Sequence, residues 1–440
     1  MRALLALLAV ATLSTADTRV LEAVKRRDPA AVAALLRDKA DVNAALADGS
    51  TALSWAAYFN DSESSDLLLK AGAKADIATE YGETPLTLAC SNGNATLVGK
   101  LLQSGASTKA ARWDGATPLM IAAGSGSVDA VKLLLASGAD INAAEARKGQ
   151  TALMWAAAEG HTDVVSLLIK NGGTVSAASK AGYSPLMFAA IKGDTASVRN
   201  LMAAGAPPDT KLPDGVTALV AAAANKNTEA ACSLLETGAD PKAADRSGNS
   251  VLHLASQNGS VTLVRSLLAK GASVDVRTPA AAASPNPFRP VAGSQTPLML
   301  AARAGHIDVM KVLLEAGADP HAKASDNSSF LAAAVGSGNV EVVRFAYKYD
   351  DDVAMVNTSG NTLMHASVTG TAGNAGPEAQ ERVCEVIRFL ADKGAPLDER
   401  NKQGRTPMNI ADILPIDKAV DLLTQLIVRS GTQPKSPSAR

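Results

Sequence analysis

The side chains that could carry out chemistry are few in this sequence, and they lie far apart. A metal site would need histidine, cysteine or carboxylate ligands clustered at short spacing, such as two histidines one helical turn apart. The five histidines contain no such pair; they are His161, His253, His306, His321 and His365. The spacing therefore predicts no bound metal and structural roles for the histidines.

Motifs and composition exclude further classes of function. The sequence has no phosphate-binding loop, no Gly-x-Ser-x-Gly elbow and no set of kinase motifs. Its 42 basic and 43 acidic residues leave a net charge of −1, whereas a nucleic-acid or anionic-membrane surface requires a basic excess. We therefore expect no catalytic activity, no cofactor, no nucleic-acid partner and no membrane span.

The elements that must position any functional side chain repeat along the chain. The marker is a glycine closely followed by Thr or Ser, and most intervals between markers are 33 or 34 residues. The markers are Gly49, Gly82, Gly115, Gly149, Gly182, Gly215, Gly248, Gly293, Gly360 and Gly404, with Asn327 in the same slot of one further copy. Such periodicity is typical of a solenoid built from one structural unit.

One copy shows what each unit must be. Thr117 is suited to cap a helix whose first turn accepts Pro118. Gly124 to Gly126 end that helix, and a second helix carries Val131 and Leu134 at the spacing of a buried stripe. Gly138 then supplies a left-handed helix end. Each unit is predicted to be a turn followed by two short antiparallel helices.

This pattern resembles the ankyrin repeat, whose core reads Gly-x-Thr-Pro-Leu-His-x-Ala-Ala and later Val-x-x-Leu-Leu-x-x-Gly-Ala-Asp. The resemblance covers roughly residues 17–426. It implies an all-α ankyrin-repeat solenoid of about eleven repeats plus an N-terminal capping repeat, with short β-turn fingers. It also implies a surface that binds other proteins without catalysis.

The chain divides into predicted segments. Residues 1–16 read as a signal peptide with cleavage near Ala16, because Met1-Arg2 precedes a short apolar run that ends in small residues. Residues 17–47 form a polar capping repeat, and 48–276 and 293–429 form two blocks of repeats. Residues 430–440 form a disordered tail. We expect an exported bacterial protein, periplasmic or extracellular.

Two insertions interrupt the repeat period. Residues 277–292 are proline-rich and lie in the turn between two repeats, where a loop tolerates extra length. They are either a passive finger extension or a binding loop that uses Phe288 and Arg289. Residues 369–380 are glycine-rich, lie between the two helices of one repeat and read as a passive spacer.

Several other side chains are predicted to belong to the core. Cys90, Cys232 and Cys384 lie four repeats apart, on the order of 35 Å for stacked helix layers, and a disulfide needs Cα atoms within about 7 Å. They are read as free, small buried residues. Recurrent methionines could bind copper(I) or fill gaps, and packing is favoured; they are Met120, Met154, Met187 and Met299. Trp55, Trp155 and Phe188 are also read as core.

The resemblance places partner-binding residues on the fingers and on the palm, the exposed side of the first helices. The predicted set is Tyr81, Trp113 and Asp114 on fingers, Tyr58, Phe59 and Arg303 on the palm, and Phe288 and Arg289 on the insertion. The predicted function is an exported, monomeric interaction scaffold whose partner is another protein. The alternative is a secreted effector or inhibitor of a target outside the producing cell.

Overall fold

The computed structural model describes residues 17–279, 293–370 and 376–431 of the chain. Within these residues the regular structure is helical, with four isolated antiparallel bridges and no strand. The chain divides into two compact units, unit 1 (Met1–Ala206) and unit 2 (Pro207–Arg440). The all-α prediction is confirmed.

Unit 1 is a series of short helix pairs in which each first helix packs on the first helix of the next pair. Its described helices are α1 Arg19–Lys25, α2 Pro29–Arg37, α3 Ala52–Tyr58, α4 Ser62–Lys70, α5 Pro85–Ser91, α6 Ala95–Gln103, α7 Pro118–Gly124, α8 Val128–Ala136, α9 Ala152–Glu159, α10 Thr162–Lys170, α11 Pro185–Lys192 and α12 Thr195–Ala203.

Unit 2 repeats the same arrangement with more variation in helix length. Its described helices are α13 Ala218–Ala224, α14 Thr228–Glu236, α15 Val251–Asn258, α16 Val261–Ala269, α17 Pro297–Ala304, α18 Ile307–Glu315, α19 Phe330–Val335, α20 Val340–Tyr347, α21 Leu363–Thr369, α22 Pro377–Asp392, α23 Pro407–Ile413 and α24 Asp417–Arg429. Helix α22 has 16 residues, whereas α20 has eight.

The first helix of each repeat begins where its sequence predicts. Thr51 accepts a hydrogen bond from the Ser54 amide, and the Ser54 hydroxyl accepts one from the Thr51 amide at 2.8 Å. This capping box satisfies donors that a helix start otherwise leaves unpaired. Thr117 caps α7 in the same way, with Pro118 in the first turn. The cap residue therefore fixes the register of every side chain that follows it.

Most second helices bury one apolar stripe and end in a left-handed glycine. In α8, Val131 and Leu134 are fully buried. Gly138 adopts φ 81°, and the amide of Ala139 donates to the Leu134 carbonyl at 3.0 Å. Such an end satisfies carbonyls that the helix leaves free. Similar stripes in every pair form a thin core along each unit.

The fingers are tight turns joined to each other by backbone hydrogen bonds. In one finger the Arg112 amide donates to the Ala116 carbonyl at 3.1 Å, and the Trp113 amide donates to the Tyr81 carbonyl of the preceding finger at 2.9 Å. Gly82 adopts φ 73°, and a Cβ there would lie 2.7 Å from the Ala111 carbonyl oxygen. Glycine is needed at this marker both for the turn and for the close approach of the next finger.

The copy without marker glycines is held by other bonds. Asn327 takes the left-handed conformation, with φ 66°, and its side-chain Nδ2 donates to the Val356 carbonyl at 3.0 Å. Asp350 is buried and accepts the Leu331 amide at 2.9 Å. Asparagine tolerates this backbone better than other non-glycine residues. The copy therefore replaces both glycines with specific polar contacts.

Several predicted segments lie wholly or partly outside the described residues. These are the signal peptide 1–16, most of the insertion 277–292 with Phe288 and Arg289, and most of the tail 430–440. Of the insertion 369–380, residues 371–375 lie outside them, whereas Pro377 begins α22. The segment read as a passive spacer is therefore shorter than expected.

Candidate functional site

Two neighbouring fingers of unit 1 each expose one aromatic ring. Tyr81 is 58% exposed and Trp113 is 65% exposed. The backbone bond between these two residues holds the neighbouring turns together. The guanidinium of Arg147, on the following finger, lies 5.4 Å from the centre of the Trp113 ring. The structure places both residues on adjacent fingers, and their contact with a partner stays a prediction.

Asp114 occupies the same finger but points its carboxylate back into the turn. Its Oδ2 accepts a hydrogen bond from Arg112 at 2.6 Å, and its Oδ1 accepts one from the Ala116 amide at 3.1 Å. The Arg112 guanidinium lowers the pKa of the Asp114 carboxyl below its usual value. Asp114 therefore shapes the turn that presents Trp113.

The palm of unit 1 carries an aromatic cluster beside two cations. The rings of Trp55, Tyr58 and Phe59 lie 5.4–5.7 Å from each other between centres. Lys25 lies 4.8 Å from the centre of the Trp55 ring, and Arg27 lies 4.7 Å from that of Phe59. Tyr58 is 58% exposed. The cluster offers aromatic edges and positive charge together.

Arg303, the predicted palm residue of unit 2, lies at the end of α17. Its Nη1 donates to the Gln295 side-chain oxygen at 3.4 Å. It borders a groove that sequence analysis did not predict, with a volume of about 580 Å³. The groove extends along the palm from Arg303 past α19 and α21 to Ile413 on α23.

The groove arises at one position of the repeat, the fourth residue after the Thr or Ser cap, here termed the palm slot. In unit 1 the palm slot holds bulky residues: Trp55, Leu88, Ile121, Trp155 and Phe188. Two palm slots along the groove hold Ala333 and Ala366 instead. Trp55, Trp155 and Phe188, read as core from sequence, are only half-buried. Their palm location was missed because hydrophobicity alone does not distinguish core from a concave face.

His253 and His365 make the structural contacts expected of them. His253 and His365 complete capping boxes with Ser250 and Thr362, and their Nε2 atoms bond backbone carbonyls of the next repeat at 3.0 Å. Burial lowers the pKa of both imidazoles below the usual value. The neutral form is therefore favoured in the folded chain.

The cysteines are free thiols, as predicted. Burial raises the pKa of the Cys90 thiol to about 12 and also raises that of Cys384. Because the thiolate is the reactive form, burial suppresses their chemistry. Cys232 departs from the prediction: it is only partly buried, and its Sγ lies 3.6 Å from the Ser266 hydroxyl.

Neither a metal site nor a membrane-spanning helix accompanies these surfaces within the described residues. No group of three or more His, Cys, Asp or Glu side chains there is arranged to hold a metal ion. Within the same residues, no helix combines the length and apolar character needed to cross a membrane. The candidate site is therefore built from exposed rings, cations and one groove.

Comparison with known proteins identifies the repeat. The family described as "Ankyrin repeats (3 copies)" matches residues 20–112, 54–145, 97–179, 143–211, 186–278 and 298–375. A transient receptor potential cation channel subfamily A member 1 homolog of Caenorhabditis elegans is 34% identical over 114 residues, which are 26% of this chain and 8% of that protein. The crystal structure of the human ASB11 ankyrin repeat domain is 27% identical and has a TM-score of 0.47. The match covers 51% of this chain and 99% of that one.

Proposed function

Because this chain belongs to the ankyrin-repeat family, we propose that it is a non-catalytic, exported scaffold that binds another protein through the fingers and palm of unit 1. Ankyrin repeats form protein-interaction scaffolds, and their fold is typically a non-catalytic interaction module. Export, the particular binding surface and the absence of catalysis go beyond what membership of the family establishes for this chain.

The exposure of Tyr81 and Trp113 is the observation that carries the proposed surface. Each ring is more than half exposed although it sits on a turn fixed by backbone bonds. A large ring held rigidly at the surface loses little conformational freedom on binding, and Trp and Tyr are enriched at interface hot spots. Arg147 beside Trp113 adds a cation to the same finger row.

The palm cluster of unit 1 supports the same surface and indicates the character of the partner. Lys25 and Arg27 stack on Trp55 and Phe59, so positive charge and aromatic surface coincide. A complementary partner would present acidic and apolar side chains together. Charge of this kind raises association rates and helps to select the partner.

Export is proposed from the sequence of residues 1–16. A mature chain beginning at Asp17 would place the scaffold in the periplasm or outside the cell. N-terminal sequencing of the purified chain tests this, and a chain that retains Met1 in the cytoplasmic fraction would contradict it. Recovery from the culture medium would instead favour a secreted effector or inhibitor acting on an external target.

The binding surface is tested with a double variant, Tyr81→Ala with Trp113→Ala. In-cell crosslinking followed by mass spectrometry identifies the partner, and its affinity is then measured for each variant. We expect the double variant to weaken binding by at least about thirtyfold, the effect of losing one hot spot. Circular dichroism should show unchanged helicity, because both side chains are exposed.

The control variant is Tyr349→Ala, which removes an exposed aromatic ring of unit 2. Its affinity should stay within a factor of two of the unmodified chain. Unchanged binding by the finger variant, or equal losses in both variants, would show that the aromatic fingers do not form the site.

A further inference from the structure

The groove of unit 2 has the size and wall chemistry of a binding site rather than of a packing defect. Its volume of about 580 Å³ falls within the range of about 300–1,000 Å³ common for ligand sites. It lies on the palm of α19, α21 and α23, and all its lining residues belong to unit 2. Its open volume follows from the small side chains in the palm slots of α19 and α21.

The floor of the groove is set by backbone packing. A Cβ on Gly370 would lie 2.5 Å from the Gly336 carbonyl oxygen, so the ends of α19 and α21 meet closely. Ala333 and Ala366 occupy the palm slots above them. In unit 1 the corresponding slot holds Trp155, whose ring lies 2.9 Å from the Cβ position of Gly124. The groove therefore exists because no ring fills this space.

The polar wall of the groove is held in place by the fingers. The side-chain oxygen of Asn401 accepts hydrogen bonds from the backbone amides of Gln403 and Arg405, each at 3.0 Å. The side-chain Nδ2 of Asn401 donates to the side-chain oxygen of Asn361 at 2.8 Å. The Arg405 carbonyl accepts a bond from His365 at 3.0 Å. The backbone that carries the Arg405 side chain is therefore fixed on both sides.

The charge along the groove is positive. Arg303 and Arg405 border it, together with one carboxylate, that of Asp326. Both Asp326 oxygens accept hydrogen bonds from Ser328, at 3.0 Å from the amide and 2.8 Å from the hydroxyl. Asp326 is thus engaged in its own turn, and the two guanidinium groups set the preference of the groove for negative charge.

The end of the groove on α23 is apolar. Ile410, Ile413 and Leu414 line it, and Ile413 is 54% exposed. An exposed isoleucine beside a concave wall favours an aliphatic side chain as its neighbour. Arginines along the wall and aliphatic residues at one end define an occupant with two kinds of contact.

We propose that this groove binds an extended segment of a partner protein that carries Asp or Glu side chains, with an aliphatic residue placed against Ile413 and Leu414. Arg303 on α17 and Arg405 beside α23 lie on different repeats, so each receives a carboxylate at its own place along the segment, and the main chain lies over Ala333 and Ala366. The inference adds a second site to the proposed scaffold and rests on that function only for the class of ligand, a protein.

A displayed random decapeptide library selected on the full chain provides the probe. A recovered peptide is synthesised, labelled and measured by fluorescence anisotropy. We expect recovered sequences to pair Asp or Glu with an aliphatic residue. Replacing that acidic residue by its amide should weaken binding at least about tenfold, the value of a charge-assisted contact.

Two variants of the chain examine the groove directly. Ala366→Trp installs the ring that unit 1 carries in its palm slot and should abolish binding. Arg303→Gln with Arg405→Gln adds no bulk to the groove and should weaken binding at least about tenfold. Leu254→Trp places the same ring in a palm slot of unit 2 outside the groove, and its affinity should stay within a factor of two.

The result overturns the proposal if no acidic peptide is recovered, if the amide peptide binds equally well, or if the double arginine variant retains full affinity. None of these variants alters Tyr81 or Trp113. Loss of the groove site would therefore leave partner binding through unit 1 intact, and failure of the finger variants would leave peptide binding in the groove intact.

Discussion

The two units use the same repeat to make different palms. In unit 1 the palm slot holds bulky side chains, and Trp155 covers Gly124 of the preceding repeat. In the α19 and α21 repeats of unit 2 the slot holds Ala333 and Ala366, and the groove is open above them, whereas Ile410 occupies the slot at the α23 end. Both units nevertheless bury a Leu or Met two residues after the cap, as Leu153 and Met364 show.

The difference shows that the fold and the binding surface depend on different positions of one motif. Cap, buried leucine and second-helix stripe fix the helix pair, and these positions vary little among the described repeats. The palm slot contributes to packing but is not required for it, so it can hold Trp or Ala. Repeats of nearly independent stability tolerate such exchange.

Removing the ring from unit 1 should have the largest effect on stability. Trp155→Ala would place in the palm slot of α9 the alanine that α19 and α21 carry there, and it would remove the contact between the Trp155 ring and Gly124. Because the ring is half-buried, we expect a loss of about 3 kcal/mol, the lower end for aromatic truncation. Urea unfolding followed by tryptophan fluorescence measures it, since Trp55, Trp113 and Trp155 all belong to unit 1.

The matched control is Trp155→Leu, which installs the side chain found in the palm slot at Leu88. It should recover most of the lost stability. A loss below about 1 kcal/mol for Trp155→Ala would be typical of a surface substitution. It would mean that the ring serves binding alone.

Substitution by alanine should destabilise the chain more at Gly370 of unit 2 than at Gly124 of unit 1. Gly370→Ala brings a Cβ to 2.5 Å from a backbone oxygen, whereas Gly124→Ala meets a movable ring edge at 2.9 Å. Overpacking against rigid backbone should cost about 2 kcal/mol, and the ring should shift at lower cost. Equal losses, measured by urea unfolding with circular dichroism, would show that the two floors are equally rigid.

The copy without marker glycines sharpens the comparison within unit 2. The absence of both turn glycines by itself predicts that residues 327–350 open before the regular copy 115–148. The bonds of Asn327 and Asp350 reduce the basis for that difference. Asp350→Ala removes the acceptor of the Leu331 amide and should cost about 1.5 kcal/mol.

Hydrogen exchange tests this copy region by region. In Asp350→Ala, amides of residues 327–350 should exchange faster than those of 115–148. Asp350→Asn retains an acceptor oxygen and serves as the control. Similar exchange in both variants would show that the carboxylate bond does not hold the copy closed.

The repeat period and the caps made the fold predictable. Thr117, Pro118 and Gly138 act through local backbone preferences, which a sequence displays directly. The exposure of Tyr81 and Trp113 was also predictable, since they flank marker glycines. The groove was not, because it depends on what neighbouring repeats place around an alanine. Ala366 looks like any small core residue until Gly336 and Arg405 are brought beside it.

The smallest expected effect is a pH dependence confined to unit 2. The third residue after the cap is His253 or His365 in two repeats of unit 2, whereas in unit 1 this position holds residues that do not titrate in this range: Ser54, Thr87, Met120, Met154 and Met187. Burial lowers the pKa of both histidines in the folded chain. The unfolded chain, with a histidine pKa of about 6.5, therefore takes up protons first as the pH falls.

Stability from these groups is thus fully present above about pH 6.5 and is lost as the pH falls through the lower folded pKa. The urea midpoint measured by circular dichroism, which reports both units, should fall between pH 7 and pH 5. The midpoint from tryptophan fluorescence, which reports unit 1, should change less. The lowered pKa values of Asp48 and Asp114 act only at more acidic pH, near the carboxyl range of about 4.

His253→Asn with His365→Asn separates titration from packing, because the chain already uses asparagine at this position. Asn409 completes a capping box with Thr406, accepting the Thr406 amide at 3.2 Å. The double variant should keep its helices and lose the difference between the two probes. If circular dichroism still shows the same fall toward pH 5, the two buried imidazoles are not its source.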